Sequence, residues 1–202
     1  MENPPDDHGM CAAIPSTLSE SEPRSIRDLF AFADTELAGR QFQIAVEALL
    51  FDEFGRWILM RRGEASRDGV GKLEGIGGMV EAGDASLRDA LSREIREEAG
   101  GVSFVVKGFF EVRFDCVLNE SGRCGRQDWI IVSYLALLGN GDPIVHEPER
   151  NLGYVRLRLD EVDRRDLSPS ARAAHGALSA RWAWGSRARG LAGQPPAGGA
   201  LS

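Results

Sequence analysis

The stretch SLRDALSREIREEA (86–99) sets the tightest condition on how this chain can fold. Its apolar residues recur at helical spacing. With ~100° per residue and Leu87 at zero, Leu91 falls near +40°, Glu94 near −20° and Glu98 near +20°. Two carboxylates therefore stand in the middle of the stripe that should face the core. Glu97 lies on one flank of it, near −80° on the same ~100° wheel, beside Ala90. Inward carboxylates are costly to ionise without a cation. A distant Lys or Arg could supply one, and so could a hard divalent ion such as Mg²⁺, which accepts clustered oxygen ligands. The spacing of the three acids at i, i+3 and i+4 favours the ion.

The rest of the 202-residue chain is ordinary for one globular domain with tails, at 43% hydrophobic and 27% charged residues. The formal charge of −7 argues against a nucleic-acid binder that relies on backbone electrostatics. An anionic small substrate would need a metal or local arginines to offset repulsion. Cys11, Cys116 and Cys124 are irregularly spaced and suggest neither a disulfide framework nor a zinc site. No apolar run approaches ~18 residues, and MENPPDDHGM lacks a signal peptide's basic start. A cytoplasmic protein with no membrane partner is the resulting expectation. His8, His146 and His175 are scattered and read as structural.

Residues 1–24, rich in Pro, Ser and acids, read as a disordered arm, and 187–202, rich in Gly, Pro and Ala, as a disordered tail. Between them, 25–186 reads as one domain. Residues 25–37 suggest a short amphipathic helix. Strands are expected over 42–52, 56–62, 102–118, 128–138 and 154–159, with 119–127 as a polar connection. The glycine-rich GIGGMVEAGD (75–84) reads as turns feeding the acidic helix, where backbone can approach a ligand closely. A second helix should cover 168–184, with Ser168 as N-cap and Pro169 in its first turn. Strands and helices interleave, so an α/β fold with a mixed sheet between helices is expected.

Joined together, GGMVEAGDASLRDALSREIREEAGG closely resembles the Nudix box. Gly78 fits the opening glycine, and REIREEAG (93–100) fits the second half without a mismatch. Three departures stand out: Asp84 replaces the first Glu, one extra residue precedes Arg93, and Gly101 stands where an aliphatic is usual. The resemblance implies an α/β/α sandwich that hydrolyses a diphosphate linkage in a nucleoside diphosphate linked to some group X. It implies Mg²⁺, with Mn²⁺ as a substitute, held by Glu94, Glu97, Glu98 and the Gly78 carbonyl, with a metal-activated water as nucleophile. Arg93 would hold a catalytic glutamate in place, with Glu94 and Glu97 as the candidates. HEPERNLGY (146–154) is similar to a Glu-Pro-Glu segment of family members acting on nucleoside triphosphates, which makes Glu147 or Glu149 an alternative base. An acidic turn around Pro148 accounts for that segment equally well. Arg62 is a candidate contact to phosphate. Glu81 reads as a brace for the glycine loop, and Glu111 as an outward-facing strand residue. Trp129, Tyr134, Phe109 and Phe110 could stack on a base but fit a core better. The partner is a small nucleotide-type diphosphate, and a homodimer stays open. A non-catalytic nucleotide-binding or regulatory module of the same fold is the competing reading, against which all three helical glutamates count.

Overall fold

A computed structural model describes residues 17–19, 22–23, 25–29, 31, 42–66, 69–118 and 124–192. Eight strands form one mixed sheet: β1 (Thr17–Ser19), β2 (Phe42–Phe51), β3 (Trp57–Arg62), β4 (Leu73–Glu74), β5 (Ile76–Met79), β6 (Phe104–Leu118), β7 (Cys124–Leu138) and β8 (Asn151–Leu157). The spatial order is β1-β6-β7-β2-β3-β4, with β5 also on β2 and β8 on β3. β2 and β7 run parallel; the other pairings are antiparallel. Helix α1 (Leu87–Ala99) covers one face and α2 (Pro169–Ala192) the other.

The two-residue period of β2 builds both layers at once. Val46, Ala48 and Leu50 join Leu87, Ala90, Leu91 and Ile95 of α1 in one core. Leu49 joins Trp57, Leu59 and Phe110 with Ala171, Ala174 and Leu178 of α2 in the other. This is the α/β/α sandwich expected above. Ser86 caps α1 by accepting from the Asp89 N–H, and Ser168 caps α2 by accepting from the Ala171 N–H. Tyr134 and Phe110 are core residues, and His175 stacks on Trp57. No helix among the described residues is long and apolar enough to cross a membrane.

Several expectations change. Residues 17–19, assigned to the disordered arm, pair with β6, because an open sheet edge recruits backbone whatever its side chains. Glu22 of that arm binds the Arg88 guanidinium at 2.9 Å. α2 runs to Ala192, inside the stretch expected as tail. Residues 124–127 belong to β7 rather than to a connection. The glycine-rich segment is no simple turn, since 76–79 pair with β2 as a strand. Of 25–37, residues 26–29 and 31 are helical, Ser25 is not, and 30 and 32–37 lie outside the described residues.

Candidate active site

β5 brings the glycines against α1. A Cβ at Gly77 would overlap the Val46 carbonyl oxygen, and one at Gly78 would lie 2.5 Å from Glu94 Oε2. Only glycine lets this backbone pass between β2 and the helical carboxylates. Because of that approach, the Gly77 N–H donates to Glu98 Oε2 at 2.8 Å. Glu94 is buried, Glu97 is exposed, and Glu98 lies between these extremes.

Arg93 ties this group together. Its guanidinium donates to both oxygens of Asp84 (3.1 and 3.0 Å), to Glu94 (2.8 Å), to Glu97 (3.1 Å) and to the Met79 carbonyl (2.8 Å). The Asp84 departure from the box thus has a place: the aspartate holds the arginine that holds Glu94. Asp84 also accepts from the Glu81 N–H, closing the turn before the helix, while the Glu81 carboxylate lies 3.7 Å from Arg93. The hydrogen bond from Arg93 keeps the Asp84 carboxyl below its usual range.

One cationic side chain does not balance the acids it faces. Burial pushes Glu98 up to about 8, with the Gly77 N–H opposing and the charges of Glu94 and Glu74 adding to it. Burial also raises Glu94, against the pull of Arg93. Oxygen donors held close together in excess of basic partners suit a hard divalent cation, and the missing Cβ of Gly78 leaves its backbone open toward Glu94. Among the described residues no three such side chains already converge as a finished metal cage. The carboxylates are instead engaged by Arg93 and the Gly77 N–H.

A cavity of about 360 Å³ lies over this group, lined by Glu94, Glu97, Glu98, Glu147, Arg62 and Arg150, among others. Of the two loop acids, Glu147 lines it and Glu149 does not. Glu149 contributes its backbone carbonyl to the Ala65 N–H at 2.8 Å, which pins the 63–66 turn to the loop. Arg62 enters from β3 and donates to Glu74 at 3.3 Å. Tyr154 donates its hydroxyl to the Glu98 carbonyl oxygen, fixing the end of α1 against β8.

Sequence reasoning missed Glu47 and Glu74. Glu47 pairs with Gly77 across the β2–β5 ladder and points to the α2 side. Its Oε1 sits where a Cβ at Gly75 would come within 2.5 Å. The Glu47 carboxylate meets Arg113 at 2.7 Å and Ser133 at 2.9 Å. Glu111, expected to face outward, is buried at 2% exposure, with Arg113 at 3.7 Å. The correction has a simple cause: both faces of this strand are covered, so alternation does not mark a solvent side. An acid within an apolar strand run, as in AVEALL (45–50), was the available signal for Glu47.

The family profile described as "NUDIX domain" matches residues 41–178. No curated protein matches the chain. Among solved structures, a MutT NUDIX hydrolase from Burkholderia pseudomallei is similar over 69% of this chain and 99% of its own, at 23% identity and a TM-score of 0.54. A NUDIX hydrolase from Nitrosomonas europaea is similar over 69% and 90%, at 17% identity and 0.55. The E. coli ORF135 protein is similar over 79% and 96%, at 26% identity and 0.51.

Proposed function

The chain belongs to the Nudix family and is an enzyme of its pyrophosphatase kind, and on that premise we propose that it hydrolyses a diphosphate linkage in a nucleoside diphosphate derivative with the help of Mg²⁺. The observation that carries this reading is the meeting of acids and arginines at one cavity. Glu94, Glu97, Glu98 and Glu147 line it together with Arg62 and Arg150. Acids alone would repel a diphosphate, and arginines alone would bind it without a means of attack.

Glu94, Glu97, Glu98 and the Gly78 carbonyl would hold the ion, and Mn²⁺ would be accepted in its place. When bound, the ion neutralises charge on the diphosphate and lowers the pKa of a water. Arg62 and Arg150 bind the outer phosphate oxygens, and the Glu74 carboxylate keeps Arg62 directed along β3. Arg93 holds Glu94 in a fixed rotamer, so Glu94 is placed to accept the proton from the attacking water. Glu147 is the alternative base, on a loop that α1 does not hold.

The test is turnover on a panel of nucleoside triphosphates, ADP-ribose, NDP-sugars, dinucleoside polyphosphates and CoA. Activity should vanish in chelator and return with Mg²⁺ or Mn²⁺. Full turnover in excess EDTA contradicts the reading, and nucleotide binding without turnover on any panel member favours a binding module.

A further inference from the structure

Two stretches of backbone complete the cavity over α1. β3 and the turn after it supply Arg62, Ala65 and Ser66, and the chain leading into β8 supplies Glu147, Arg150 and Asn151. The two cations are held in different ways. Arg62 is anchored in the sheet, with Glu74 at 3.3 Å and a side chain only 18% exposed. Arg150 has a side chain 68% exposed, and the Glu147 carboxylate 3.5 Å away is itself exposed. Such a surface pair fixes little. The place of Arg150 therefore rests on its backbone.

That backbone is stitched to the other stretch at Gly63. The register of β3 against β8 shifts between Met60 and Arg62, and the ladder ends with Arg62 opposite Asn151. Beyond it, the Gly63 N–H donates to the Arg150 carbonyl at 2.7 Å and the Ala65 N–H to the Glu149 carbonyl at 2.8 Å. The Ser66 hydroxyl adds a bond to the Arg150 carbonyl at 3.3 Å. Gly63 is buried, and a Cβ on it would overlap the Glu149 carbonyl oxygen and stand 2.8 Å from its carbon. Those are backbone atoms, so no side-chain rotation relieves the overlap. Gly63 is not among the glycines of positive φ, so its own conformation would accept alanine. What the glycine provides is the close approach.

We propose that Gly63 is a positioning residue that sets the separation of Arg150 from Arg62, and with it the grip on the diphosphate. This rests on the reading of the cavity as a diphosphate site. A methyl group at position 63 would push the loop away by on the order of 1 Å, the gap between overlap and ordinary contact. The two guanidinium groups would then no longer reach one diphosphate together. Glu94, Glu97 and Glu98 stand on α1 and keep their places. The loss therefore falls on binding rather than on the chemical step.

The test compares the full unaltered chain with Gly63→Ala, Arg150→Ala and the double variant. Calorimetry reads the binding of imidodiphosphate, whose bridge resists hydrolysis, in Mg²⁺. Steady-state kinetics read KM and kcat on the panel member that is turned over. Gly63→Ala should weaken imidodiphosphate and raise KM about tenfold, the scale of one charge-assisted hydrogen bond, with kcat nearly kept. In the Arg150→Ala background it should add little, because its effect runs through Arg150. Ser66→Ala removes one bond to the Arg150 carbonyl and adds no bulk, so it should weaken binding in the same direction but less. If Gly63→Ala does not fold, Ser66→Ala decides, and unchanged binding there overturns the proposal. It is overturned too if Gly63→Ala leaves binding and KM unchanged, if kcat falls at constant KM, or if the full loss persists without Arg150. Failure of the unaltered protein to bind imidodiphosphate overturns it as well. Binding that weakens in Gly63→Ala, without turnover of any panel member, would retire the hydrolytic reading and still support the role of Gly63.

Discussion

On the α1 side of the sheet Glu94 and Glu98 border an open cavity, while on the α2 side Glu47 and Glu111 are buried around Arg113. The two pairs are equally acidic and lie on opposite faces of one β layer. Their partners differ. Glu47 has a buried guanidinium at 2.7 Å that is itself held by hydrogen bonds to Ser133 and Ser170, so its charge belongs to the fold. Glu94 shares Arg93 with Asp84 and Glu97, so the acids of α1 remain in excess of their cation. An inward carboxylate therefore says that a cation is needed, and the supply of protein cations decides whether it comes from within.

Substitutions on the two faces should separate these roles. The largest effect is expected in chemistry from the α1 side. Glu94→Gln should cut turnover by ~10²–10⁴, the range for losing a group that moves a proton in the transition state. Near-normal turnover there, with the same loss in Glu147→Gln, would transfer the base to the loop. On the α2 side the effect should be in stability. Arg113→Met leaves two buried carboxylates without their cation, costing about 3–5 kcal/mol. For a chain of this size that is a fall in melting temperature on the order of 10 °C. A variant that melts normally would show that Glu47 and Glu111 are not ionised partners of Arg113.

Gly78→Ala probes the seam between the regions. Its Cβ would press on the Glu94 carboxylate at 2.5 Å, so turnover should fall about tenfold, the scale of altered ligand support, while folding persists. Unchanged turnover would show that Glu94 has room to move aside. The smallest effect is in acid. The hydrogen bond from Arg93 holds Asp84 below the ordinary carboxylate range. Its contribution is full above the unfolded value of about 4 and fades as pH falls through the depressed one. In chelator, Asp84→Asn should flatten the acid limb of the stability curve below about pH 4. An unchanged limb would mean that other carboxylates set it.

This contrast also explains what could be read before the fold was known. The acids of α1 were legible because a helix repeats every 3.6 residues and Glu94 and Glu98 break a local pattern. Glu47 and Ser133 lie 86 positions apart, and no local pattern joins them. β5 escaped notice because IGGM carries almost no side-chain alternation; its pairing is specified by β2 and by the space that absent Cβ atoms leave. Glu111 was misplaced because alternation assumes a wet face, and here α2 covers it. The strands with β-branched and aromatic runs, and the caps Ser86 and Ser168, were legible since their signals are local.

The most direct test of the central claim is the melting temperature of Glu98→Gln beside the unaltered protein, each in chelator and then in Mg²⁺. A carboxylate kept for an external ion costs the empty protein stability, because burial opposes its charge. The account predicts that in chelator Glu98→Gln melts at or above the unaltered protein. It further predicts that Mg²⁺ raises the melting temperature of the unaltered protein and leaves that of the variant nearly where it was. A variant that melts clearly lower in chelator, with no response to Mg²⁺ in either protein, would contradict the account. Glu98 would then belong to the fold, as Glu47 does.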